Sequence, residues 1–208
     1  MKNLDKLINE LRKLSDETPW VEFKHNNYDP MMIGKDISAL ANSAALQEKS
    51  CAYMLWGIND AIHEIDGTDY NLQTLKKGAQ ELENWLRYLL SKNADFEFYS
   101  VPMNDKNVGV LIIYRAVNQT VTFEKVDYIR IGSYTKKLNE FPAIQAQLWD
   151  RIRNLRFEER YAKQDLDLKD SLQFLDYSAY FDIKGVQQPT DMSGVLQHAR
   201  RRNHRKAG

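Results

Sequence analysis

Three acidic residues raise the question of chemistry. Glu17 and Glu22 bracket the entry to the alternating segment Trp20-Val21-Glu22-Phe23-Lys24, and Asp60 follows the apolar run Cys51 to Ile58. Metal-dependent cleavage of a phosphodiester calls for such groups: two or three carboxylates holding Mg²⁺ or Mn²⁺, with water or phosphate in the remaining positions. If the two segments are neighbouring strands, Glu22 and Asp60 come together and Glu17 approaches from the preceding turn. A chain with 29 Asp and Glu offers many such triples. Spacing alone equally allows a plainer assignment, in which Glu22 pairs with Lys24, Asp60 caps a turn and Glu17 is solvated.

Other chemistries lack their motifs. The nine glycines include no GxxxxGK[ST] and no GxGxxG, and there is no GxSxG elbow. The four histidines (His25, His63, His198 and His204) contain no HExxH pair. The lone Cys51 excludes an internal disulfide framework and a Cys-rich zinc site.

A second group of residues suits phosphate rather than metal. Lys24 shares a strand face with Glu22. In Tyr128-Ile129-Arg130-Ile131-Gly132, alternation turns Arg130 away from Ile129 and Ile131. Ser133, Tyr134, Lys136 and Lys137 follow in a predicted hydroxyl-rich loop. Cations mixed with hydroxyls make contacts that position a nucleic-acid backbone without reading its sequence. The same residues also describe a strand edge guarded by lysines against aggregation. Tyr128 and Tyr134 are the aromatics placed to stack on bases; Trp56, Trp85 and Trp149 are assigned to the core.

The elements that must position these groups follow from periodicity. Leu4, Leu7, Ile8, Leu11 and Leu14 predict a helix that stops before Pro19. Val21 and Phe23 face opposite to Glu22 and Lys24 in a short strand. Asp29-Pro30 reads as a cap and first turn for a helix carrying Ile33, Ile37, Leu40, Ala41 and Ala44. Cys51 to Ile58, apolar on both faces, predicts a central strand covered on both sides. A helix is expected around 78–90, strands at 96–101, 108–114, 121–123 and 128–131, and a helix near 142–155. The pattern gives an α+β fold, a mixed twisted sheet packed with helices, over residues 1–156. Residues 157–208 read as a helical extension and basic tail, expected to begin a further domain.

Charge bounds the partners. The 29 Lys and Arg balance the 29 acids, yet the last eleven residues hold Arg200, Arg201, Arg202, Arg205 and Lys206 and no acid. Residues 1–197 therefore carry about −5, so nucleic-acid binding by the body must come from a local basic surface. There is no apolar run of the ~20 residues that a membrane span needs and no signal-peptide core, so no membrane partner and a cytoplasmic location are expected.

Four blocks in order then carry a resemblance. Val21-Glu22-Phe23-Lys24, Ile37-Ser38-Ala39-Leu40-Ala41-Asn42-Ser43, Trp56-Gly57-Ile58-Asn59-Asp60 through Asp66-Gly67, and Tyr128-Ile129-Arg130-Ile131-Gly132-Ser133 together resemble the Schlafen AlbA_2 domain over about residues 15–138. One departure is local: many members carry Gly-Gly after the Ala-Asn motif, where this chain has Ala44 to Ser50. The family is widespread in bacteria, often as the N-terminal part of transcriptional regulators or ATP-binding proteins. The resemblance implies an α+β nucleic-acid-binding domain of a bacterial regulator. An alternative, from the branch that cleaves transfer RNA, is a metal-dependent endoribonuclease. Its metal ligands would map to Glu17, Glu22 and Asp60, with Lys24 stabilising charge on the phosphate. A second alternative is a nucleotide-binding regulator. That nuclease core has two lobes, which implies a homodimer here.

Overall fold

A computed structural model of the chain describes residues 4–14, 18–103 and 105–153, together with 181, 185 and 187–189. The chain divides into two units, residues 2–160 and residues 161–208 with Met1. Every element below belongs to the first. Glu17, the expected extension and the basic tail lie outside the described residues.

Asp29 caps the longest helix among the described residues, α2 (Pro30–Leu46), accepting from the amides of Met31 and Met32 while Pro30 occupies the first turn. This helix connects β1 (Val21–Lys24) to β2 (Cys51–Trp56), which pair in parallel with Glu22 opposite Met54. The adjacency required to bring Glu22 near Asp60 is therefore present. Two antiparallel strands, β5 (Phe96–Met103) and β6 (Lys106–Tyr114), complete a four-stranded sheet in the order β1-β2-β6-β5. The hairpin β3 (Lys76–Lys77) and β4 (Gln80–Glu81) precedes α3 (Leu82–Leu89). A second sheet comprises β7 (Thr122–Phe123), β8 (Val126–Ile131) and β9 (Tyr134–Lys137) in that order. A 3-10 turn at Leu138–Glu140 leads into α4 (Pro142–Arg153).

α2 lies at the centre. Ile33, Ile37, Leu40 and Ala44 join Met54 and Trp56 from β2, Phe96 and Phe98 from β5, Phe123, Ile129 and Leu148 in the main apolar cluster. The opposite face of the large sheet forms a separate cluster, where Ile8 and Leu11 of α1 (Leu4–Leu11) cover Val21, Phe23, Leu55 and Val110. So β2 is buried on both faces, as its unbroken apolar run requires. The fold is α+β.

Polar side chains fasten α2 to the second sheet. Ser38 Oγ donates to the Val121 carbonyl at 2.7 Å and accepts from the Tyr128 amide at 3.1 Å. Asn42 Nδ2 donates to the carbonyls of Val121 and Tyr128, both at 2.9 Å, and its Oδ1 accepts from the Val121 amide at 2.8 Å. Ser43 Oγ accepts from the Arg130 amide at 3.0 Å. The β7–β8 ladder stops at the Thr122–Asp127 pair, so beyond it these side chains take up backbone groups of Val121, Tyr128 and Arg130. The Ser-x-x-x-Asn-Ser spacing within the second block is thus a helix-to-strand fastening. Gly34 permits a similar closeness: a Cβ there would stand 2.2 Å from the Phe123 ring.

Three expectations are corrected. Residues 134–137 form an edge strand, not a loop. α3 begins at Leu82 because the β3–β4 hairpin occupies the chain before it. Trp149 is 44% exposed on α4 and does not belong to the core.

Candidate functional site

Glu22 lies on β1 only 6% exposed, on the face turned to α2 and β8. One carboxylate oxygen meets Lys24 Nζ at 2.5 Å and the other is paired with the Arg130 guanidinium. Arg130 is 5% exposed and also donates to Thr135 Oγ1 at 3.4 Å. Thr135 in turn donates to Asp36 Oδ1 at 2.6 Å, and the second Asp36 oxygen stands 3.8 Å from Lys24 Nζ. Strands β1, β8 and β9 and helix α2 are therefore joined by one chain of charge-assisted bonds. Buried charges persist only when paired in this manner.

Arg130 is not a surface phosphate contact. Alternation does turn it away from Ile129, but that side of β8 meets Glu22 of β1 and not solvent. Of the two sequence assignments for Glu22, its pairing with Lys24 is present, and Arg130 is added to it. Asp36 is the member that sequence reasoning missed. It is 1% exposed and sits one helical turn from Ile33 and Leu40, within the apolar stripe of α2. A carboxylate inside such a stripe was the available signal.

Burial is the largest influence on Asp36 and raises its pKa. The Thr135 hydrogen bond and Lys24 oppose this, Glu22 reinforces it, and Arg130 again opposes it. For Lys24, burial is again the largest single influence and acts downward. The hydrogen bond and charge of Glu22, with the charge of Asp36, outweigh it, and the net direction is up.

Asp60 stands beside this network, exposed, four residues past the end of β2. Burial raises its pKa, the Lys24 charge lowers it, and Glu22 raises it. The loop that carries Asp60 turns at Gly57, whose φ of +82° and whose approach to Gly67 leave no room for a Cβ. Asn59, and not Asp60, caps the turn: its Oδ1 accepts from the amides of Ala61 and Ile62. His25 Nε2 and Asn59 Nδ2 both approach Asp66 Oδ2, at 3.2 and 3.1 Å.

A divalent ion needs carboxylate oxygens that are not already claimed. Both oxygens of Glu22 are held by cations, and Asp36 has one oxygen on Thr135. Among the described residues, no three His, Cys, Asp or Glu side chains are gathered as a metal requires. The carboxylates described here do not fit a metal as they stand.

The remaining members of the phosphate group are at the surface. Tyr134 is 69% exposed, Ser133, Lys136 and Lys137 are exposed, and Lys136 Nζ lies 5.7 Å from the Tyr134 ring. Thr135, between them, is the residue that points inward to Asp36 and Arg130. The edge strand thus displays two ammonium groups, a hydroxyl and a phenol on a base fixed by buried ion pairs.

A family model described as Schlafen, AlbA_2 matches residues 17–139. Among solved structures, the chain is similar to the DIP2311 protein from Corynebacterium diphtheriae, with 13% identity and a TM-score of 0.41. The match covers 64% of this chain and 29% of that one, a likeness too slight to bear on function. No curated protein matches. No helix among the described residues is long and apolar enough to cross a membrane.

Proposed function

The chain belongs to the Schlafen AlbA_2 family, and on that premise we propose that it is a nucleic-acid-docking domain whose β8–β9 hairpin grips the phosphate backbone. The observation that carries the reading is the exposure of Ser133 in the hairpin turn and of Tyr134, Lys136 and Lys137 on β9, a strand that Thr135 ties to the buried network. Cations on a rigid edge lose little freedom on meeting phosphate, so more of each contact is realised as affinity. The site offers no base-reading fork, because its guanidinium is buried against Glu22. Contacts of this type position a strand and do not specify its sequence.

The test is fluorescence anisotropy with labelled transfer RNA and duplex DNA, comparing the wild type with Lys136→Ala/Lys137→Ala. Loss of binding in the variant at unchanged melting temperature supports the proposal. Undiminished binding of both probes removes it. Parallel samples with Mn²⁺ or EDTA, run on denaturing gels, examine catalysis. Strand cleavage that needs Mn²⁺ and disappears in Asp60→Ala would replace docking by hydrolysis. Light scattering in the same buffer measures the oligomeric state; a homodimer would present two such edges.

A further inference from the structure

Resting on that reading, we infer that the β3–β4 hairpin is a second cationic arm, and that between the two arms the first turns of α2 form a saddle for a single-stranded nucleic acid. Lys76 and Lys77 are both exposed on β3. Their hairpin is tied to the start of α2, where Tyr28 Oη donates to the Lys76 carbonyl at 3.1 Å. β9 is tied to the same helix two turns on, where Asp36 accepts from Thr135. Tyr28 lies just before the helix, and from its first residue, Pro30, to Asp36 the axis advances roughly 9 Å at 1.5 Å per residue.

The stretch between them is the part of α2 left open. Met32 is 41% exposed and Met31 and Lys35 are half-buried, while residues 36–45 are covered throughout. At 32 and 35 the spacing of three places these side chains on one face of the helix. Tyr28 adds a half-buried ring packed on Tyr70 at 5.5 Å between centroids. The saddle is therefore apolar and aromatic in its floor and cationic at both ends.

Charge selects the occupant. No ion pair holds Lys35, Lys76, Lys77, Lys136 or Lys137 among the described residues, in contrast to Lys24. Glu81, the register partner of Lys76, accepts instead from Asn84 Nδ2 at 3.0 Å. Uncompensated lysines call for a polyanion, and an exposed phenol at the rim calls for a ring to stack on. A duplex hides the faces of its bases inside its own stack; a single strand turns them outward. The occupant that satisfies both ends and the floor is an unpaired strand.

Anisotropy on the full chain tests this with three labelled probes of 15 nucleotides: a single strand, its duplex, and an abasic strand of equal length. The expected order is tightest binding to the single strand. Lys76→Ala/Lys77→Ala should weaken that binding and lower the salt exponent by about 1.4, two phosphates' worth for single strands. Tyr134→Leu should lower affinity for the single strand by roughly 5- to 150-fold, the range of one lost stack, and leave the abasic strand unchanged. Wild-type affinity in the Lys76/Lys77 variant, with loss in the Lys136/Lys137 variant, would remove the second arm and leave nucleic-acid docking intact. Equal affinity for duplex and single strand, or equal loss on the abasic probe, would remove the single-strand assignment. No binding of any probe by the wild type would remove docking itself.

Discussion

The Arg130 guanidinium joins Glu22 of β1 to Thr135 of β9. Replacing Arg130 with alanine leaves Glu22 buried with Lys24 alone, and breaking a buried pair in this way costs about 3–5 kcal/mol. Arg130→Lys, which keeps the charge but not the fork, should cost less. Denaturant midpoints measure both; a loss below about 1 kcal/mol for the alanine variant would show the pair to be marginal. Asp36 gives the complementary case. Its folded pKa lies above its unfolded value, so folding favours its protonated form. Its contribution is most favourable in acid and is lost as pH rises from the ordinary carboxylate value of 3.8 through the raised folded value. Asp36→Asn removes that component while keeping an acceptor for Thr135. The gap in melting temperature between variant and wild type should therefore move in the variant's favour as pH rises through this window. A constant gap would place the titration elsewhere. At this scale the sequence was readable where a residue obeys its neighbours: Glu22 and Lys24 share a face because strands alternate. It was not readable where a distant element decides. Nothing near Arg130 announces that β1 covers it, 108 positions back.

Elements were legible in proportion to their apolar periodicity. α2 declares its start through Asp29-Pro30 and its buried face through Ile33, Ile37, Leu40 and Ala44. β2 declares itself through an unbroken apolar run. β9 does not, since its inward residue is a threonine and its other three are tyrosine and lysine; no hydrophobic alternation exists to detect. The strands of the β3–β4 hairpin are polar and show no apolar alternation, so β3 goes unannounced and β4 falls within the helix expected around 78–90. The fastening of α2 to β8 is an element-scale property that depends on one residue above others. Asn42→Ala removes three hydrogen bonds from a fully buried position and leaves backbone groups of residues 121 and 128 without that partner. The Val121 carbonyl keeps Ser38, so two groups, the Val121 amide and the Tyr128 carbonyl, are left unsatisfied, and at about 1–3 kcal/mol each a loss of roughly 2 kcal/mol or more is expected. Hydrogen exchange at 121–131 should accelerate in parallel; unchanged exchange there would show that β8 is held by its strand neighbours alone.

For the whole molecule, the distribution of charge matters more than its sum. The body is acidic by about five units, and the balance is restored by Arg200, Arg201, Arg202, Arg205 and Lys206. Nonspecific attraction could therefore come from the tail, whereas the proposed grip lies on the hairpins. A chain lacking residues 198–208 should bind more weakly at low salt yet keep its dependence on Lys136 and Lys137. If all binding disappears with the tail, the hairpins are not its seat. The ion pair between β1 and β8 has one more consequence, in time and not in space. At about 5–20 residues per second of synthesis, Arg130 emerges roughly 5–20 s after Glu22, 108 positions earlier. Throughout that interval β1, α2 and β2 can assemble, but Glu22 and Asp36 have only Lys24 and water for company. A nascent chain arrested before Val126 carries open to the ribosome surface the acidic groups that the finished protein conceals. Closure of the domain is reserved for the last strands to arrive.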